Sequence, residues 1–330
     1  MAKKTIQRFF FLILAPFLTC SLSSCAFTED LSGKIDVRIA YFPNIIHTQA
    51  LILKNQGVLE EKWKDTCHVT WTSFNAGPAE TEAMFAGEID IGYMGPVPAV
   101  NANVKSNGDV KIISNATNAG AVLLARNDAG ISSAADLAGK TIAVPQLGNT
   151  QHLCLLSLLT EHKIASSEVT VTASSNADIV NLMDSGQIDA AVVPEPWGST
   201  IEKNGNARVI LDYDELFLHG DYPSALVVAS NDFIETHPDL VSDFLELHEE
   251  ATLFINENPE EMQEIVNTEI NAATGKSLDT DVIQSACSRI KADSTLNPNV
   301  IMTLAEISKE EGFIRNVPEE KNVFNTEFRP

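Results

Sequence analysis

The run Gly148-Asn149-Thr150-Gln151-His152 concentrates groups that can hold a small polar ligand. Its glycine admits close backbone approach, and the helix expected to start there exposes unpaired N–H groups with partial positive charge. That suits a tetrahedral oxyanion without Lys or Arg. Asn149 and Thr150 also read as plain N-caps, and Gln151 as a ligand donor or a cap. Glu195 is of another kind: an ionised carboxylate belongs beside an amine or another donor, with solvent exposure or a salt bridge as the structural alternative. Tyr41, Phe42, Tyr93 and Trp197 supply apolar walls or a cation–π face, although Phe42 and Tyr93 equally suit a core. His47 and His152 lack a third ligand, so hydrogen bonding or capping is their reading and no metal is expected. Asn44, Asn75, Gly77 and Gly95 complete the candidate set, and no cofactor is expected. The sequence holds no Gly-x-Ser-x-Gly, phosphate loop or His-Glu-x-x-His, which argues against an enzyme.

These residues sit between alternating strands and helices. Strands are expected at 37–40, 68–74, 89–93, 110–114, 121–125, 141–144, 169–172, 188–193, 207–211 and 225–229. Helices are expected at 47–56, 78–86, 96–104, 149–162 and 177–184. Later helices start at Pro196, Pro259, Asp279 and Pro298, and Leu240, Phe244, Leu247, Ala251 and Phe254 mark one helix face. The alternation implies an α/β architecture.

Two echoes organise the pattern. Gly87-Glu88-Ile89-Asp90 matches Gly186-Gln187-Ile188-Asp189, and Ile39-Ala40 followed by Thr48-Gln49 matches Ile142-Ala143 followed by Thr150-Gln151. Both recur in the same order about 100 residues apart, as two similarly wound lobes would produce. Ligands of such sheets sit beyond the carboxyl ends of the strands. The loops 41–48, 74–79, 92–97, 145–151 and 193–198 would therefore meet at a cleft, and they contain no Lys or Arg.

Lys3, Lys4 and Arg8 precede an uncharged run from Phe9 to Thr19. This is too short for a membrane-spanning helix, which needs about 20 residues, and reads as a secretory signal. Leu22-Ser23-Ser24-Cys25 resembles the lipobox of bacterial lipoproteins, which implies a signal over 1–24, lipidation of Cys25 (diacylglyceryl and palmitate-type chains) and a tether over 25–33. Cys67, Cys154 and Cys287 form no metal or redox spacing and read as buried free thiols. The chain of 330 residues has 22 Lys+Arg against 45 Asp+Glu, a net charge of −23. That balance excludes nucleic-acid binding and docking through a basic face on anionic lipid.

Several stretches carry a family resemblance: Ala40-Tyr41-Phe42-Pro43-Asn44, Asn75-Ala76-Gly77, Ile89-Asp90-Ile91-Gly92-Tyr93-Met94-Gly95-Pro96, the segment Asp136 to Pro145, and Ile188 to Trp197. Together they resemble the nitrate/sulfonate/taurine substrate-binding proteins of ABC importers. The resemblance implies a two-lobed type II periplasmic-binding protein fold with a hinge. Lobe one would be 34–120 plus 228–330, and lobe two an insertion of 121–227, with hinge crossovers near Ala121–Ala125 and Ala225–Ala229. It implies a monomeric, lipid-anchored protein on the extracytoplasmic face of the cell membrane. That protein would capture an aliphatic sulfonate or taurine and deliver it to an ABC permease with its ATPase. Nitrate, a pyrimidine thiamine precursor and, less consistently, a metal remain alternative ligands. Glu195 is expected to meet the cationic end of an aminosulfonate.

Overall fold

The computed structural model describes residues 33–328. The expected signal, Cys25 and tether residues 26–32 lie outside the described residues.

β1 (Ile35–Tyr41) leads through a 3-10 turn into α1 (Thr48–Gln56), and Gly57, at φ 63°, turns the chain into α2 (Val58–Lys62). Then come β2 (Cys67–Ser73), α3 (Gly77–Phe85), β3 (Ile91–Met94), α4 (Pro96–Lys105) and β4 (Val110–Ala119). Past Gly120 follow β5 (Ala121–Arg126), β6 (Thr141–Val144), α5 (Thr150–Glu161) and β7 (Thr170–Ala173). α6 (Asn176–Asp184), β8 (Ala190–Pro194), α7 (Trp197–Lys203), β9 (Ala207–Leu211) and α8 (Tyr213–Leu216) complete that group. β10 (Pro223–Ser230) is followed by α9 (Asn231–Thr236), α10 (Pro238–Glu257), α11 (Pro259–Thr274) and α12 (Thr280–Ser288). β11 (Ile290–Ala292), α13 (Pro298–Glu310) and α14 (Glu320–Val323) close the chain. Prolines occupy the first turns of α3, α4, α10, α11 and α13, where their missing N–H costs nothing.

The strands form two mixed sheets, each flanked by helices, so the expected two-lobed α/β architecture is present. The first sheet has the order β11-β4-β10-β3-β1-β2 and the second β7-β6-β8-β5-β9. β1 lies parallel to both β2 and β3, as β6 does to β7 and β8. An antiparallel strand follows in each, β10 beside β3 and β5 beside β8. The sheets are thus two copies of one plan, and both faces of each are apolar.

The echoed Asp residues explain part of the repetition. Asp90 Oδ2 accepts the Arg38 amide at 2.8 Å, and Asp189 Oδ2 accepts the Thr141 amide at 2.9 Å. Each staples the start of the central strand to its parallel neighbour, and each also takes an arginine, Arg38 or Arg126.

Several differences from the sequence expectations have local causes. β4 continues to Ala119 through polar residues whose side chains find partners: Asn115 Nδ2 donates to the Asp293 carbonyl at 2.6 Å, and Thr117 Oγ1 to Gln49 Oε1 at 3.3 Å. The short elements α2, α8, α9 and β11 carry too few residues for a periodic signal. The expected boundary between 227 and 228 falls inside β10, which pairs wholly within the first sheet, so the chain returns before Pro223. Cys67 and Cys154 are buried free thiols and Cys287 is half-buried; burial pushes the Cys154 and Cys287 thiols up to about 12.

Candidate functional site

The carboxyl ends of β1, β2, β3, β6, β7 and β8 converge on a cavity of about 30 Å³ between the lobes. The first lobe contributes Phe42, Asn44, Ile46, His47, Asn75, Ala76, Gly77, Gly95, Pro98 and Ser224 to its lining. From the second come Pro145, Asn149, Thr150, Gln151, Asn176 and Pro194. The space is far too small for a nucleotide or peptide in this arrangement.

Helix starts dominate this lining. α3, α4, α5 and α6 begin at Gly77, Pro96, Thr150 and Asn176, while α1 follows the Asn44–His47 turn. Their free N–H groups and dipoles give the cavity positive character. No lining residue carries a formal charge: His47 is fully buried, and burial lowers its pKa to about 3. The Phe42 amide donates to His47 Nδ1 at 3.2 Å, which places the ring proton on Nε2 and makes that nitrogen a donor.

The capping geometry repeats between the lobes. Asn44 Oδ1 accepts the His47 amide at 3.2 Å and Asn149 Oδ1 the His152 amide at 2.9 Å. Gly148 N–H donates to His152 Nδ1 at 3.1 Å, as Phe42 N–H does to His47. The structural counterpart is therefore Asn-x-x-His, offset from the Thr-Gln pairs that mark the echo in sequence. Asn149 is an N-cap whose amide also bonds Gln151 Oε1 at 2.9 Å, fixing the Gln151 carboxamide.

Two polar atoms of lining residues lack partners. Thr150 Oγ1 and Asn176 Oδ1 are buried without a hydrogen bond among the described residues. A buried unsatisfied group costs about 1–3 kcal/mol, so Thr150 Oγ1 favours a ligand that accepts from it or donates to it, and Asn176 Oδ1 one that donates. Asn75 joins the lobes here through two polar bonds. Asn75 Nδ2 donates to the Pro145 carbonyl at 3.5 Å, and the Asn176 amide donates to Asn75 Oδ1 at 3.4 Å.

Nine of the expected ligand residues line this cavity: Phe42, Asn44, His47, Asn75, Gly77, Gly95, Asn149, Thr150 and Gln151. Five do not. Gly148, at φ 82°, stands beside the lining and serves the His152 bond. Tyr41 packs edge-on against Trp71 with ring centroids 6.0 Å apart, within the first lobe's core. Tyr93 is fully buried, and its hydroxyl meets His248 Nδ1 at 2.8 Å. Because His248 Nε2 must donate to the Asn115 carbonyl at 2.8 Å, Tyr93 is the donor to Nδ1. Trp197 packs against the second lobe's core.

Glu195 corrects the sharpest expectation. Its carboxylate is fully buried and does not line the cavity. Oε1 accepts Arg289 Nη1 at 2.8 Å and Oε2 accepts the Ser199 amide at 2.9 Å. Burial pushes the carboxyl pKa up, against the opposing pull of the Ser199 amide and the Arg289 guanidinium. Arg289 lies almost 100 residues on and carries no local motif, so sequence reading had no partner to offer Glu195. Sequence reading misses Asn176 because no Pro or Gly marks the Ser174-Ser175 loop after β7. The two-copy plan identifies it: β7 and α6 match β2 and α3, so this loop is the counterpart of 74–77. Among the described residues no three His, Cys, Asp or Glu side chains come together to hold a metal ion.

A family model described as the NMT1-like family matches residues 31–270. A protein of Brucella abortus (strain 2308), described as a binding protein, is 29% identical over 267 residues, 76% of this chain and 79% of its own. The taurine-binding periplasmic protein of Escherichia coli (strain K12) is 30% identical over 177 residues, 53% of this chain and 54% of its own. Among solved structures, the alkanesulfonate-binding protein SsuA from Xanthomonas axonopodis pv. citri, bound to MOPS, superposes with a TM-score of 0.73 at 22% identity. That likeness covers 88% of this chain and 98% of SsuA, and it shows a shared fold.

Proposed function

The chain belongs to the NMT1-like family, and from that premise we propose that it is the extracytoplasmic solute-binding component of an ABC importer. It captures a small organic anion between its lobes and delivers it to a permease with its ATPase. One observation carries this reading: helix N-termini from both lobes converge on a neutral cavity whose Thr150 hydroxyl, free to donate, has no partner among the described residues. Dipoles and neutral donors hold an anion without the desolvation cost of a buried cation. Phe42, Ile46, Pro98 and Pro194 supply an apolar wall, which suits a short alkyl chain better than bare nitrate. The relatives named above are binding proteins, which supports a transport role over catalysis.

A Glu195 carboxylate open to the cleft would favour a zwitterion. With its carboxylate engaged by Arg289, the lining offers taurine's ammonium group no ion pair. Glu195 therefore gives taurine no advantage over ethanesulfonate, and any preference for taurine would fall to the acceptor Asn176 Oδ1. A calorimetric and thermal-shift screen of the domain from Lys34 onward tests both points, with alkanesulfonates, taurine, nitrate, phosphonates and pyrimidines. A true ligand at about 100 times its Kd stabilises by about 2.7 kcal/mol. Stabilisation by pyrimidines and none by sulfonates would reject the sulfonate reading. A preference for taurine over ethanesulfonate that survives Asn176→Ala would reject the argument from Glu195.

The lipid anchor rests on Leu22-Ser23-Ser24-Cys25. Two or more acyl chains on Cys25 hold a protein stably at a membrane. Cys25→Ser should move the protein from the membrane fraction to the soluble fraction; retention of the variant in the membrane would remove the anchor. We further propose that the protein acts as a monomer, with lobes of 34–120 plus 223–328 and 121–222.

A further inference from the structure

The contacts between the lobes are unequal. At the mouth of the cavity Asn75 makes two bonds of 3.4 and 3.5 Å to the second lobe. At the back, one arginine of the first lobe holds three acids of the second. Arg289 follows α12, whose Ile283 and Ala286 are buried in the first lobe's core. Its Nη1 meets Glu195 at 2.8 Å, its Nε meets Asp212 at 2.9 Å and its Nη2 meets Glu202 at 3.3 Å. Nη1 also donates to Ser199 Oγ at 3.1 Å, and Ser199 Oγ lies 3.1 Å from Ser285 Oγ of α12. Lys203 of α7 pairs with Asp281 of α12 on the same face.

This cluster sits at the crossover between the sheets. Glu195 N–H donates to the carbonyl of Gly120 at 2.8 Å, and Gly120 is the residue between β4 and β5. A Cβ on Gly120 would lie 2.7 Å from Ile290 Cγ2, so the residue after Arg289 packs directly on the crossover. On its other side Glu195 follows Pro194, which lines the cavity. The guanidinium is nine-tenths buried, and such charge-assisted bonds are about twice as strong as neutral ones. Of these polar contacts the two long bonds at Asn75 are the weaker, while Val97 of α4 and Leu304 of α13 share a buried apolar cluster with Leu153 and Leu155 of α5.

We propose that Arg289 is the pivot of lobe motion. It is a positioning residue that holds the Pro194 wall in register with the first lobe while the opposite rim opens and closes. This rests on the reading of the chain as a protein that closes on a ligand. Without the pivot the second lobe samples orientations in which the helix termini do not converge, and affinity falls with the fraction of competent molecules.

The test compares wild type, Arg289→Lys, Arg289→Gln and the double variant Glu202→Gln/Asp212→Asn. The double variant removes two partners at partly exposed positions and leaves the buried Glu195 pair intact. Three quantities are measured: the melting temperature, the affinity for ethanesulfonate by calorimetry, and the radius of gyration by small-angle X-ray scattering without and with that ligand. Arg289→Lys and Arg289→Gln should weaken affinity by about five-fold or more. Both should also enlarge the unliganded radius, with the double variant intermediate. An unchanged radius, with affinity within about two-fold of wild type, overturns the pivot even if the melting temperature falls, because that pattern belongs to a merely structural ion pair. If Arg289→Gln does not fold, Arg289→Lys and the double variant decide in the same way. If wild type binds no ethanesulfonate, the sulfonate reading fails by itself, and the unliganded radius still reports on the pivot.

Discussion

Thr150 and Gly95 face each other across the cavity, and the glycine makes that approach possible. A Cβ on Gly95 would lie 2.4 Å from Thr150 Oγ1 and 3.5 Å from the Ser224 carbonyl. Gly95 has an extended backbone with φ −65°, which alanine adopts without strain. Gly95→Ala should therefore leave the folding of the first lobe intact while obstructing its closure on the second. The expected result is a ligand affinity at least about ten-fold weaker with a melting temperature close to wild type; unchanged affinity would show that the two residues do not meet when ligand is held. Glu80 sets a different residue-scale problem. It is fully buried against Gly92, both its oxygens lack partners among the described residues, and burial pushes its pKa well above the ordinary 4.5. Its contribution to stability is complete below about pH 4.5 and is lost as pH rises toward the raised folded value. Glu80→Gln should thus gain stability over wild type at alkaline pH and little at pH 4.5, measured by urea unfolding at both. The buried imidazoles act in the opposite sense. Burial lowers His47 to about 3 and His248 to about 4, so each costs about 1.4 kcal/mol of stability per pH unit as pH falls below the unfolded value of about 6.5.

At the scale of elements, the repeated β-α unit is both the scaffold and the device that makes the site. Each unit ends a strand at the cavity and starts a helix there, while its Asp staple holds the far end. Asp90 is nearly buried and bonds both the amide and the guanidinium of Arg38; Asp189 is more exposed and its arginine stands 3.5 Å away. Asp90→Ala should accordingly cost about 1–3 kcal/mol and Asp189→Ala less, as read by the midpoints of urea unfolding. Equal losses would show that the amide bond alone matters. This level was the most legible in the sequence. The Gly-x-Ile-Asp echo marked the staples, and strands such as 141–144 and 207–211 fall where alternation and flanking Gly and Pro place them. The helix starts that line the cavity were legible for the same reason, since Pro, Gly, Asn and Thr betray helix N-termini locally. Side-chain direction was not legible. Tyr41 and Phe42 are neighbours, yet one meets Trp71 and the other the cavity, because successive residues leaving a strand point to opposite faces. Glu195 was misread because its partner is remote, and Asn176 because its loop carries no Pro or Gly signal.

For the whole molecule the net charge and the site point in opposite directions. The chain carries 45 acids against 22 Lys and Arg, whereas the cavity lining has no formal charge. Total charge therefore says little about the sign of the ligand. It does bear on arrival. An anion approaching a net-negative protein meets a repulsive long-range field, and only within a few ångströms do the helix termini attract it. Salt screens the long-range part first, because the Debye length is about 8 Å at physiological ionic strength. The association rate of a sulfonate should consequently rise with ionic strength, opposite to the behaviour of an anion steered into a basic cleft. The dissociation rate should change little, because the dipoles that hold the ligand are buried with it. Stopped-flow fluorescence at low and at physiological salt separates the two rates, with chloride replaced by a larger counter-ion to avoid competition at the site. A rate that falls with salt would mean that the local field of the converging helices reaches beyond the mouth of the cavity and outweighs the acidic exterior.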